Sequence, residues 1–196
     1  MDKPFIRPKS YTYADYYSWP DGIRGELVSG QFYVREPAPT YRHQRVTGNL
    51  FLQIGVFFVG KRCVACVAPF DVRLPKPSEE DGQERSVVQP DIAVICDRSK
   101  IDDRGCRGAP DWVIEVLSPS THSRDCRLKR GLYERNGVRL YWIVSPYERT
   151  FTVLRLGADG RYKPGQKYEA VGRRAVPKYP GLVIDWDQVF EGQKMP

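Results

Sequence analysis

The chain has 196 residues, 28% charged and 41% hydrophobic, a balance that fits one globular domain over 1–196 with a sizeable core. No apolar run approaches the ~20 residues of a bilayer span, and the start, MDKPFIRPKS, lacks the apolar core of a signal peptide, so a soluble, cytoplasmic protein is expected. A net charge of +7 and a pI near 9.2 suit a polyanionic partner, although many soluble proteins are as basic.

Thr12 is placed to cap a short helix over 13–18, stopped by Pro20. Residues 26–36 alternate around Ser29-Gly30 and read as a hairpin. The longest helical pattern runs over 41–59, where Val46, Leu50, Ile54 and Phe57 recur at steps of three and four. Gly60 fits its end. Three strands are expected next, at 62–74, 90–96 (PDIAVIC) and 111–117 (DWVIEVL). The Pro- and charge-rich stretch 75–84 and the polar stretch 101–109 read as loops. A helix over 124–136 follows, with Ser123 as its cap and Gly137 at its end. Then come a strand at 139–144 (RLYWIV) and a β-hairpin from 150–156 and 160–170. A last helical turn is expected at 186–190. The core order is helix, three strands, helix, strand. That predicts an α/β fold with a mixed sheet flanked by helices, an N-terminal helix and hairpin, and a C-terminal β-hairpin.

The five cysteines form one CxxC, Cys63 and Cys66, with no second pair and only two histidines, which leaves a tetrahedral zinc site short of ligands. An odd count without a signal peptide argues against a disulfide framework, so these thiols are expected as small core residues.

Glu115 stands out because its neighbours are Trp112, Val113, Ile114, Val116 and Leu117. A strand this apolar is buried on both faces, and an unpaired carboxylate there costs several kcal/mol. A cation, a metal, a proton or a structural salt bridge to arginine must compensate it. Asp91, after Pro90, opens a neighbouring strand; alone it would read as a turn or cap residue. Two acids on neighbouring strands repel unless a cation lies between them, and Mg²⁺ takes one or two carboxylates while keeping waters for phosphate oxygens. Lys129 falls about 100° from Leu128 on a helical wheel, beside an apolar stripe with Leu132 and Tyr133. There it could orient a water or stabilise a phosphoryl group, or it could form an exposed pair with Asp125 worth ~0.3 kcal/mol. Glu26 is a candidate third acid, and Asp71 has the same standing; a solvent-facing role suits either as well. His43 and Gln44, opening the long helix, and Tyr133 are candidate nucleic-acid contacts. No Gly-rich phosphate loop, HExxH or GxSxG is present.

The strings VVQPDIAVI and GAPDWVIEVLSPSTHSRDCRLKRGLYERNGVRLYWIVSP resemble the PD-(D/E)XK, or restriction-endonuclease-like, nucleases. More specifically, they are similar to the bacterial Uma-two family of endonucleases. The likeness runs from TYADYYSWPDGIRGELVSGQ through HQRVTGNL and APFDVRLP to YPGLVIDWDQVF, nearly the whole chain. It implies a metal-dependent endonuclease acting on DNA, often dimeric. Mg²⁺ or Mn²⁺ would be held by Asp91, Glu115 and the backbone carbonyl of Val116. Glu26 matches the family's early acidic position. The motif places a lysine two residues after the glutamate; here that residue is Leu117, and Lys129 resembles a migrated replacement. The alternative is a nuclease fold that binds nucleic acid or a protein partner without cutting. A third reading is a structural protein whose acids pair with arginines.

Overall fold

Residues 10–20, 23, 25–34, 38–118 and 124–191 are described by the computed structural model, with backbone alone at 124–127. Thr12 opens α1 (Tyr13–Tyr17) with a capping box: it accepts the Asp15 N–H, and the Asp15 carboxylate accepts the Thr12 N–H at 2.9 Å. β1 (Gly25–Val28) and β2 (Gln31–Val34) form the expected hairpin. Its turn residues Ser29 and Gly30 both have positive φ, 53° and 82°, the conformation that suits tight hairpins. α2 (Tyr41–Phe58) is capped by Thr40, which accepts the His43 N–H at 3.2 Å.

The stretch 62–74 departs from the single strand expected. It carries β3 (Val64–Val67) and β4 (Val72–Arg73), which join different sheets. Pro69 lies between them and has no N–H to give a ladder. β5 (Val87–Val88) and β6 (Ile92–Ile95) follow. The expected loop 101–109 contains two short strands, β7 (Ile101–Asp102) and β8 (Gly105–Arg107). The chain continues through β9 (Trp112–Val116), α3 (Arg124–Arg135), β10 (Leu140–Ser145), β11 (Thr150–Arg155) and β12 (Gln166–Glu169). It ends in β13 (Arg173–Ala175), β14 (Val183–Asp185) and α4 (Trp186–Val189). The cap expected at Ser123 and the hairpin end at 36 lie outside the described residues.

The main sheet has the order β12-β11-β10-β9-β6-β3. β9 and β10, joined through α3, run parallel; the other neighbours in this sheet are antiparallel. A second sheet, β2-β1-β5-β4-β8-β7, brings the N-terminal hairpin alongside strands from mid-chain. The alternation of β9 assigns its two faces. Trp112, Ile114 and Val116 pack in a core with Val46, Leu50, Ile54 and Phe58 of α2. Val113 packs on the other side with Leu132 and Tyr133 of α3 and with Val72 and Val88 of the second sheet. Each such buried apolar side chain contributes about 2 kcal/mol. Four of them on β9 are enough to hold one costly carboxylate, Glu115, on the α3 face.

The cysteines correct one expectation. Cys63 and Cys96 form a disulfide across β3 and β6. The register explains it: Val64 pairs with Ile95, and the next pair outward is Cys63 with Cys96. Cys66 and Cys106 remain thiols, and burial pushes the Cys106 thiol up to about 12. Among the described residues no helix is long and apolar enough to cross a membrane.

Candidate active site

β6 and β9 set the acidic pair. Ile92 pairs with Ile114, so one step further Asp91 stands opposite Glu115. The main-chain N–H of Val116 donates to Asp91 Oδ2 at 2.7 Å. His43 Nε2 lies 3.2 Å from the same oxygen. Pro90 suits the strand entry because no ladder N–H is needed there. Asp91 is 3% exposed and Glu115 7% exposed, so both acids lie inside the protein.

Lys129 and Tyr133 are one helical turn apart on α3 and share the face that covers β9. Lys129 Nζ lies 2.9 Å from Glu115 Oε1 and 2.9 Å from Glu26 Oε1. The Tyr133 hydroxyl donates to Glu115 Oε1 at 2.6 Å. Glu26 arrives from β1 in the second sheet, and the main-chain N–H of Gln89 donates to its Oε1 at 2.8 Å. The Gln89 side chain donates in turn to Asp71 Oδ1 at 2.8 Å. Glu26, Asp91, Glu115 and Lys129 therefore come together in one cluster. Glu115 pairs with lysine and tyrosine rather than with arginine.

The remaining candidates fall differently. Asp71, immediately before β4, lines a cleft of about 340 Å³ with Tyr13, Phe70 and Gln89 among its walls. Burial pushes its carboxyl above the usual range, against hydrogen bonds from Gln89 and Tyr13. His43 turns inward to Asp91 instead of outward to a phosphate, and Gln44 beside it is exposed. Tyr133, a candidate nucleic-acid contact in the sequence, has no exposed surface, and its hydroxyl is used inside, on Glu115. Leu117, at the motif's lysine position, is 8% exposed and packs as an apolar residue. Sequence reasoning missed Gln89, which holds Glu26 by its backbone. Its place two residues before Asp91 was the only available cue.

The electrostatics follow from burial. Glu115 is pushed up to about 7, first by desolvation and then by the charges of Asp91 and Glu26, while Lys129 and the Tyr133 hydrogen bond oppose the shift. Burial and the Glu115 charge hold the Tyr133 hydroxyl well above its usual range, so it stays a donor. Glu26 and Glu115 share the Lys129 ammonium, and Asp91 adds a third carboxylate beside Glu115. The excess negative charge and the hard oxygen donors suit a small divalent cation. Among the described residues no three His, Cys, Asp or Glu side chains form a cage for an ion. Mg²⁺ and Mn²⁺ need none, since Mg²⁺ takes one or two carboxylates and completes its shell with water. The donor set fits such an ion on these grounds.

A helix, three antiparallel strands, a second helix and a strand parallel to the third, with acids at adjacent strand ends, define a restriction-endonuclease-like fold. The model of the family described as "Uma2: Putative restriction endonuclease" matches residues 13–186, and the chain belongs to that family. No curated protein matches the sequence. Among solved structures, the chain is similar to the crystal structure of "a putative nuclease belonging to DUF820" from Anabaena variabilis ATCC 29413. The TM-score is 0.71 at 19% identity, over 91% of this chain and 97% of that one, a likeness of fold.

Proposed function

We propose that the protein is a divalent-metal-dependent endonuclease that hydrolyses phosphodiester bonds in DNA. The observation that carries this reading is the meeting of Glu26, Asp91, Glu115 and Lys129 in one buried cluster, from four separate elements or their ends. Asp91 and Glu115 would hold Mg²⁺ or Mn²⁺, with the Val116 carbonyl as a further ligand. When bound, such an ion neutralises phosphate charge and lowers the pKa of a bound water. The chain's own residues do the rest. Val116 N–H and His43 fix the Asp91 carboxylate. Glu26 holds the Lys129 ammonium beside Glu115, where it can orient the attacking water or meet charge that develops on the phosphoryl oxygens. Gln44, exposed at the start of α2, is a candidate phosphate contact. Length and composition add a single domain over 1–196 and a cytoplasmic location to this reading, and the family resemblance adds a homodimer.

A plasmid-nicking assay tests it. Wild type should nick in Mg²⁺ or Mn²⁺ and not in EDTA, and Glu115→Ala and Lys129→Ala should each lose at least about 100-fold, within the range of removing one electrostatic stabiliser. Equal activity in all three would assign the cutting to a contaminant or another site. One observation favours a second reading, a fold that binds without cutting: Leu117 is buried where the motif has lysine. Salt-sensitive DNA binding with no heat of metal binding would support that reading.

A further inference from the structure

Both hydrogen bonds accepted by the Glu115 carboxylate fall on the same oxygen. Oε1 takes the Lys129 ammonium at 2.9 Å and the Tyr133 hydroxyl at 2.6 Å. Among the described residues Oε2 takes none. The Tyr133 ring has no exposed surface and packs edge-on to Tyr141, with centroids 5.0 Å apart. The hydroxyl therefore has little freedom to find another partner. A carboxylate with two donors on one oxygen has one oxygen left for a cation. Mg²⁺ demands a small, near-octahedral shell, whereas Ca²⁺ has a larger shell and readily takes both oxygens of a carboxylate.

We propose that Tyr133 is a positioning residue that makes Glu115 a one-oxygen ligand, so that this site prefers Mg²⁺ or Mn²⁺ over Ca²⁺. The inference rests on the metal site of the proposed function and adds its selectivity. Removing the hydroxyl alone, in Tyr133→Phe, keeps the ring packing and leaves only Lys129 on Oε1. Glu115 can then turn both oxygens to the larger ion.

Calorimetric titration of metal alone, with no nucleic acid, gives the test. The ratio of the Ca²⁺ to the Mn²⁺ dissociation constant should fall at least about fivefold from wild type to Tyr133→Phe, the direction set by the larger Ca²⁺ shell. A purely structural role would lower the melting temperature in EDTA and leave this ratio unchanged. That outcome, with Mn²⁺ still bound, overturns the positioning role and spares the nuclease reading. Failure of wild type to bind Mn²⁺ overturns both. A crystal structure of wild type with Mn²⁺ decides independently of how the variant folds. Glu115 on the metal through Oε2 alone, with Tyr133 kept on Oε1, supports the inference. Both Glu115 oxygens on the metal overturns it.

Discussion

Glu115 enters the fold on a strand whose other members are Trp112, Val113, Ile114 and Val116, all buried. Its carboxyl, pushed up to about 7 chiefly by burial, keeps a proton that the unfolded chain releases near 4.5. Folding therefore binds a proton between those two values, and metal-free stability falls as pH rises from about 4.5 through 7. A shift of this size corresponds to about 3 kcal/mol. In EDTA, wild type should lose about 3 kcal/mol more than Glu115→Gln between pH 5 and pH 8, measured by urea unfolding. Parallel pH profiles for the two proteins would refute the assignment. Some of this site is readable from sequence: an acid inside an apolar run, and a lysine at the edge of a helix stripe. Other parts have no local signal. The partner of His43 lies 48 residues away, and Glu26 is held by a backbone N–H that no residue type reveals. Tyr133 misleads because a tyrosine on a helix face suits a surface or a core equally well.

At the scale of elements, long periodic segments were predictable and short ones were not. α2 is long enough to show a helical period, and β9 shows an apolar run broken only by Glu115. β5, with two residues, shows neither, and its role comes from pairing with β1 and β4. Residues 62–74 carry valines on both sides of Pro69 and Asp71, and those two residues are the local mark of the point where the chain leaves one sheet for the other. The β4–β8 pairing depends on a close backbone approach at Gly105, whose φ is +121°. A Cβ there would lie 2.2 Å from the Asp71 carbonyl oxygen. Gly105→Ala should cost more than about 2 kcal/mol, from strain and overlap together. Gly48, inside α2, has open space where a Cβ would sit, with nothing within 4 Å. Gly48→Ala should therefore stabilise by about 1 kcal/mol through helix propensity. Urea unfolding of both variants checks the pair, and a neutral Gly105→Ala would contradict the close approach. Because Asp71 also anchors Gln89, the Gly105 variant should disturb the Glu26 side of the site as well.

For the whole molecule, the cluster depends on docking two sheets, since Glu26 comes from one and the Asp91–Glu115 pair from the other. The chain carries a net charge of +7, yet the cluster is locally negative. For a phosphate backbone, long-range attraction to the chain and short-range repulsion at the cluster would therefore oppose each other unless a cation neutralised the carboxylates. In the proposed nuclease, this competition predicts how DNA binding responds to metal and to salt. With Lys129→Met to block cutting, Mn²⁺ should tighten duplex binding at least about tenfold relative to EDTA, as neutralising a charge beside phosphate requires. The gain should vanish when Asp91→Ala is added. In Mn²⁺, contact with about four phosphates would give a log–log salt slope near −3.6, roughly a 100-fold loss between 50 and 200 mM salt. A fluorescence-anisotropy titration measures both effects. Binding that ignores Mn²⁺ but follows salt would point to a basic surface away from the cluster. Binding that ignores both would remove nucleic acid as the partner.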